Sequence, residues 1–350
     1  DAAIRDSILN ASKFVGREGE LNQLRDALRD LTHSTEETAH QSAWIIAGES
    51  GVGKSRLVDE VRIRALVRGV KVLRGQCTTD NALPYQPFVA PLRSLILAVD
   101  VDPDEASVLK EIIPDIGDLL EREIELADPL EGVEGRARLI ETILMIFRKN
   151  KQPTLFIVED LHWADETLTI LRMIIERLDD VPLMVIGTYR DDEKPEVSER
   201  LPTAQVMRLG RLPESAIAEL SESILGKSGK RRAVLDYIKR ETEGNVFFIV
   251  EVIRALAEDA GSLSDIGTKE MPEHILSGGI QQVIQRRLDS VPENARLLLK
   301  FAAIIGRQID LALMQTLDVG GTSTDAHSEL LDVDEWLTIC VNTAVLNAED

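Results

Sequence analysis

The string Gly48-Glu49-Ser50-Gly51-Val52-Gly53-Lys54-Ser55 narrows most what this chain can fold into. It follows directly on Trp44-Ile45-Ile46-Ala47, apolar enough for a buried strand, and runs into Arg56 to Val67, which has amphipathic helical spacing. Strand, glycine loop and helix in that order are what a P-loop requires. Glycines let such a loop wrap closely, so that backbone N–H groups and the helix N-terminus surround a β-phosphate. Lys54 then neutralises β/γ oxygens and Ser55 can ligate Mg²⁺. Chance produces the pattern in roughly one chain of this length per hundred. Gly48, Glu49, Ser50, Gly51, Val52, Gly53, Lys54, Ser55 and Arg56 are therefore the candidate nucleotide-binding set.

The rest of the first 210 or so residues alternates short apolar runs with amphipathic stretches, the pattern of a parallel sheet wrapped by helices. Five strands can be placed: Ala43 to Ala47, Lys71 to Gln76, Thr154 to Val158, Leu183 to Thr188 and Gln205 to Leu209. Each is apolar enough to expect burial on both faces. Residues 78–150 read as a helical insertion, broken at Asp102-Pro103, Pro114 and Asp128-Pro129. Helical spacing from Glu214 to Leu225, a basic turn at Lys227 to Arg232 and helical periodicity from Val234 to Leu256 make 211–270 a small helical domain. Its polar end, Ala260 to Glu270, reads as a linker. A third module, 271–350, is expected to hold helices at Ile280 to Leu288, Pro292 to Ile305 and Asp310 to Leu317, with an acidic stretch from Glu329 to Leu346.

Phe156-Ile157-Val158 ends in Glu159-Asp160, two acids at the carboxyl end of a buried strand, about a hundred residues after the loop. This is a Walker B arrangement, in which one acid holds Mg²⁺ and its neighbour orients or deprotonates the attacking water. By register Glu159 goes to the metal and Asp160 to water, with the reverse assignment open. The next strand ends at Tyr189-Arg190, where a guanidinium could tell triphosphate from diphosphate by bidentate pairing; the alternative is that Arg190 pairs with Asp191, Asp192 or Glu193. Lys54, Glu159, Asp160 and Arg190 are the candidate catalytic residues, and Ser55 and Glu159 the candidate metal ligands. His162, in Leu161-His162-Trp163-Ala164-Asp165, reads as packed or polar-paired rather than metal-ligating.

Charge bounds the partners. With 61 Asp+Glu against 40 Lys+Arg the net charge is -21, which disfavours nucleic acid and anionic membrane, since both need local positive potential. The two cysteines, Cys77 and Cys340, lack disulfide or zinc spacing, so a reduced, cytoplasmic setting is expected. No apolar run approaches the roughly 18 to 20 residues that span a bilayer. The start without Met and the end within a helical-looking stretch lead to the expectation of a piece of something larger.

Five strings in order, Phe14-Val15-Gly16-Arg17-Glu18, the glycine loop, Ile157 to Asp165, Gly187-Thr188-Tyr189-Arg190 and Glu243-Gly244-Asn245-Val246-Phe247-Phe248, resemble the STAND class of AAA+-related P-loop ATPases. Within that class the chain is most similar to bacterial regulators fused to kinase, cyclase or LuxR-type effectors and to repeat sensors. The resemblance implies an α/β P-loop NTPase sheet flanked by helices, then a small helical domain and a winged-helix domain, here truncated. It implies an ATP/ADP switch with slow Mg²⁺-dependent hydrolysis, self-association in the ATP state, and effector and sensor domains outside this chain. It also implies that Val15 and Arg17 contact the adenine end and that Arg190 senses the γ-phosphate. Val246 stands where the family has a proline near adenine, and a winged-helix histidine that approaches ADP has no match. Two other readings are a DNA-binding, replication-initiator-like AAA+ ATPase and an interaction module that binds nucleotide without hydrolysing it.

Overall fold

The computed structural model describes residues 14–33, 41–78, 85–128, 132–163, 165–260, 285, 288–289, 291–305, 309, 311, 314–315, 332–343 and 345–346. The chain divides into two compact units. One is Phe14–Ala216 with Asn245–Phe247; the other is formed by Ile217–Gly244 and the described residues from Phe248 onward.

The first unit is built on five parallel strands, β1 (Ser42–Ala47), β2 (Lys71–Gln76), β3 (Thr154–Glu159), β4 (Leu183–Tyr189) and β5 (Gln205–Arg208), in the order β2-β3-β4-β1-β5. Strand side chains alternate between faces, and both faces here are apolar. Ile45, Phe156, Val158 and Val185 enter one core, while Trp44, Ile46, Ile157 and Ile186 enter the other. On the second face lie α1 (Glu18–Thr32) and α2 (Lys54–Val67). Helix α1 presents Leu21, Leu24, Leu28 and Leu31 at helical spacing, and α2 presents Leu57, Val58, Val61 and Ala65.

The opposite face is covered by α3 (Gln86–Ile96), α4 (Pro103–Leu109), α5 (Ile116–Leu119), α6 (Gly132–Lys149) and α7 (Asp165–Arg177). Helix α4 starts in a reciprocal capping box between Asp102 and Glu105, and Lys149 Nζ ties both carboxylates at 2.8 and 2.6 Å. Phe88 of α3 and Phe147 of α6 pack on Phe156 with ring centroids 5.9 and 5.3 Å away, each buried ring contributing roughly 1.5–3 kcal/mol. The helices of the expected insertion at 78–150 thus form a layer of the sheet's own core.

Burial on both faces holds for β3 and β4 but not for β2, where only Leu73 and Gly75 are buried, or β5, where only Met207 is, because these are the edge strands among the described residues. The continuous helical run expected from Val234 to Leu256 is broken. Helix α9 (Arg232–Thr242) ends where Glu243 and Gly244 adopt φ of 48° and 86°, and α10 (Val246–Ala260) follows; α8 (Glu214–Leu225) precedes both.

In the second unit, α11 (Arg296–Ile305) and α12 (Val333–Asn342) share a core of Leu298, Ala302, Met314, Val333, Trp336 and Cys340, and Trp336 Nε1 donates to Ala295 O at 3.1 Å. Most of the expected Ile280 to Leu288 and Asp310 to Leu317 helices, and nearly all of the expected linker to Glu270, lie outside the described residues. No helix among the described residues is long and apolar enough to cross a membrane.

Candidate nucleotide-binding site

Strand order and register bring three chain segments to one edge of the sheet. Strand β4 lies between β1 and β3; Ala47 pairs with Tyr189, and Val158 with Gly187. The glycine loop after β1, Arg190 after β4, and Glu159 with Asp160 at the end of β3 therefore emerge side by side.

The loop holds Gly48, Gly51 and Gly53 at φ of 154°, 82° and 99°, and α2 begins at Lys54. A Cβ on Gly48 would meet Leu209 O at 2.5 Å, so the loop runs against the backbone leaving β5. Val52 is fully buried beneath it. Lys54 Nζ donates to Gly48 O at 2.6 Å and to Glu49 O at 2.8 Å, lying over the loop's own carbonyls. Burial holds the Lys54 ammonium below its ordinary pKa and the Arg190 guanidinium adds to that shift, while Asp160, Asp192 and Asp191 oppose it. Glu49 is gripped by Arg211, with Nε–Oε1 at 2.6 Å and Nη2–Oε2 at 3.2 Å, and this hydrogen bonding is the main reason its carboxyl lies below the usual range. Ser55 is exposed at the first turn of α2. Arg56, also exposed, is held along α2 by Glu60 at 3.0 Å.

The two acids of β3 differ in their surroundings. Glu159 is 2% exposed, and Arg74 of β2 binds its Oε2 through Nε at 2.8 Å and Nη2 at 2.6 Å. Asp160 is half-buried, has φ of 59°, accepts from Gln76 Nε2 at 2.7 Å and donates its own N–H to Thr188 Oγ1 at 3.3 Å. Of the two, Asp160 is the one whose charge acts on Lys54. The expected division, Glu159 on the metal and Asp160 on water, thus meets a Glu159 carboxylate already paired with a cation and an Asp160 carboxylate held by Gln76.

Arg190 pairs with Glu193, Nη1–Oε1 2.5 Å, and its guanidinium lies 5.6 Å from the Trp163 ring centroid. His162 is buried beside Trp163, and burial lowers its pKa despite Asp160 and Glu193 nearby. Neither ring nitrogen has a hydrogen-bond partner, and Nε2 lies 3.4 Å from Glu193 Oε2. Gly187 leaves room for Leu161, since a Cβ there would meet Leu161 Cδ1 at 2.5 Å and Ile45 Cδ1 at 2.8 Å.

Upstream, Val15 and Arg17 are buried, and Arg17 donates to Gly210 O and, at 3.2 Å, to Glu20. Gly210 follows the Leu209 that walls Gly48, which places the Val15 to Arg17 segment on the β5 side of the loop.

This geometry fits a polyphosphate with a divalent cation. The loop has the left-handed glycines a close wrap needs, a lysine now satisfied by loop carbonyls, and a hydroxyl and a carboxylate, Ser55 and Asp160, for a hard cation. Among the described residues no group of three or more His, Cys, Asp or Glu side chains is placed to hold a metal ion alone.

Residues 13–186 match the family model of the AAA ATPase domain. The chain carries an AAA ATPase domain. A domain of this family acts through nucleotide. The chain is 26% identical over 335 residues to an uncharacterized protein of Rhizobium meliloti (strain 1021), an alignment covering 87% of this chain and 31% of that protein. It thus spans about a third of the length of this curated relative. Among solved structures it is similar to the Aeropyrum pernix ORC1 protein in complex with DNA, with 15% identity, 95% of this chain and 84% of that one covered, and a TM-score of 0.46. It is also similar to CDC6P from Pyrobaculum aerophilum, with 13% identity, coverage of 99% and 86%, and a TM-score of 0.43.

Arg74, Gln76 and Arg211 contact the candidate site residues Glu159, Asp160 and Glu49 and were not among the motif residues. The one signal was the polar pair Arg74 and Gln76 at the carboxyl end of β2.

Proposed function

We propose that this AAA ATPase is the nucleotide switch of a STAND-type signalling regulator. It binds ATP or ADP with Mg²⁺, hydrolyses ATP slowly, and self-associates in the ATP state to control effector and sensor domains outside this chain. In this reading residues 211–270 form the helical domain and 271–350 a truncated winged-helix domain.

The observation that carries the reading is the state of Arg190. It stands between the glycine loop and the β3 acids, close enough to Lys54 to lower its pKa, yet its guanidinium is taken up by Glu193. A sensor held by an exchangeable carboxylate can be drawn away by a γ-phosphate and released after hydrolysis, which is the behaviour of a switch.

The loop amides and Lys54 would hold the β- and γ-phosphates, and Val15 and Arg17 would line the adenine end. Ser55 and Asp160 would hold magnesium, which supplies charge neutralisation on the phosphates. Asp160 takes the metal side here because Glu159 is paired with Arg74; Glu159 then positions the end of β3 rather than the ion. Arg190 reads the γ-phosphate. The odd order of strength between an exposed ion pair and a triphosphate favours exchange, since exposed pairs contribute about 0–1 kcal/mol.

The test is to identify nucleotide released on denaturing the purified protein, then to measure its mass in solution with ADP and with a non-hydrolysable ATP analogue, each with Mg²⁺. Bound ADP, with a larger assembly only in the ATP analogue, is expected. Rapid turnover from an empty site, with no change of mass, would overturn the switch.

A further inference from the structure

The tripeptide Asn245-Val246-Phe247 belongs to the sheet unit and is bonded along one side of the glycine loop. Asn245 Nδ2 donates to Ser50 O at 2.9 Å, and the Phe247 N–H donates to Gly51 O at 3.0 Å. The Asn245 side chain is itself oriented, because its Oδ1 accepts from the same Phe247 N–H at 3.1 Å, which leaves its NH₂ toward Ser50 and, at 3.4 Å, Glu49. The approach is tight. A Cβ on Gly51 would meet Asn245 Oδ1 at 2.6 Å and Phe247 Cβ at 2.9 Å.

In a trans peptide the C=O and N–H point in opposite directions across one plane. Fixing Ser50 O and Gly51 O on the Asn245 side therefore turns the N–H groups of Gly51 and Val52 to the other side, into the loop. We propose that Asn245 is a positioning residue which, with the Phe247 main chain, presets the Gly51 and Val52 amides as phosphate donors. This deepens the nucleotide reading and rests on it. Donors already aimed bind an anion without the cost of ordering the loop at that moment, so the gain falls on the phosphates and not on the base.

The experiment is calorimetric titration of the parent chain, N245A and N245L with ADP and with inorganic pyrophosphate. Loss of one aimed hydrogen bond should weaken both ligands by the same factor, about tenfold per folded molecule. Should N245A fail to fold, N245L decides, since it keeps the size and adds no charge but has no donor for Ser50. A folded variant that binds pyrophosphate as tightly as the parent overturns the proposal. So does a fall in ligand-free melting temperature with unchanged affinity per folded molecule, which would make Asn245 purely structural. A parent chain that binds neither ligand removes the nucleotide reading itself.

Discussion

Arg74 Nη2 lies 2.6 Å from Glu159 Oε2 at the carboxyl ends of neighbouring strands, and only 3% of the Glu159 side chain is exposed. The pair separates two acids that are adjacent in sequence: one is neutralised within the sheet, the other, Asp160, acts on Lys54. Different consequences follow from removing each charge. Asp160→Asn should abolish ATP turnover while ADP stays bound and the fold persists, because Asn tolerates the left-handed backbone that Asp160 adopts. Glu159→Gln leaves Arg74 without its carboxylate and should cost about 2 kcal/mol of stability, a partly buried pair being worth less than a fully buried one. Denaturant melts and single-turnover assays on both variants check this; loss of turnover in Glu159→Gln at full stability, with Asp160→Asn active, would reverse the roles.

Lys54 covers Gly48 O and Glu49 O at 2.6 and 2.8 Å, so phosphate oxygens must compete with these carbonyls for the ammonium. Lys54→Ala should weaken ADP binding by about 30-fold or more, the loss of a charge-assisted bond of about 2 kcal/mol. Equilibrium binding of a fluorescent ADP analogue measures it, and affinity within threefold of the parent would contradict the assigned role.

The loop, the β3 acids and Arg190 were legible because each is a contiguous string whose chemistry depends on its own residues and on following a strand. The strands themselves were placed to within a residue because short apolar runs bounded by polar or turn residues leave little choice, even for β2 and β5, which are not buried on both faces. What could not be read is pairing across the sheet. Arg74 meets Glu159 only because β2 lies beside β3, and Arg211 meets Glu49 only because β5 lies beside β1. Strand order is a property of the crossovers, not of any one string. The exposure of β5 escaped for the same reason, since its composition does not say that it is an edge.

The Glu49–Arg211 contact makes a pH prediction. Arg211 holds the Glu49 carboxyl below its ordinary value, so the contact stabilises the fold fully above the usual carboxylate range and is lost as pH falls through that lowered value. Both side chains are partly exposed, which limits the effect to about 0.5 kcal/mol. Arg211→Met should therefore melt slightly below the parent at neutral pH and converge with it in acid. Melting curves across pH check this; a gap that widens in acid would contradict the sign.

Gly187 lets the turn after Asp160 close against β4. A methyl at this position meets Leu161 Cδ1 and Ile45 Cδ1 inside 3 Å, and both are fully buried. Gly187→Ala should cost about 1–3 kcal/mol by overpacking and should lower turnover more than ADP affinity, because the displaced turn carries Asp160 and not the glycine loop. Parallel stability and single-turnover measurements separate the two effects. Equal losses in binding and turnover would mean that the strain spreads through β1 to the loop instead.

Glu193 holds Arg190 at 2.5 Å, and Arg190 also lies over the Trp163 ring. If the guanidinium must leave Glu193 to reach a γ-phosphate, ATP binding carries the cost of breaking that pair and ADP binding does not. Glu193→Gln should then raise ATP affinity about two- to fivefold, matching an exposed pair of up to about 1 kcal/mol, and leave ADP affinity unchanged. Arg190→Ala should lower ATP affinity and leave ADP affinity unchanged, whatever stands at residue 193. The pair of variants combined in one double-mutant cycle tests the coupling directly: in the Arg190→Ala background, Glu193→Gln should have no effect on ATP affinity. An undiminished effect there would mean that Glu193 acts on the phosphates by its own charge, and that Arg190 is not the group being restrained.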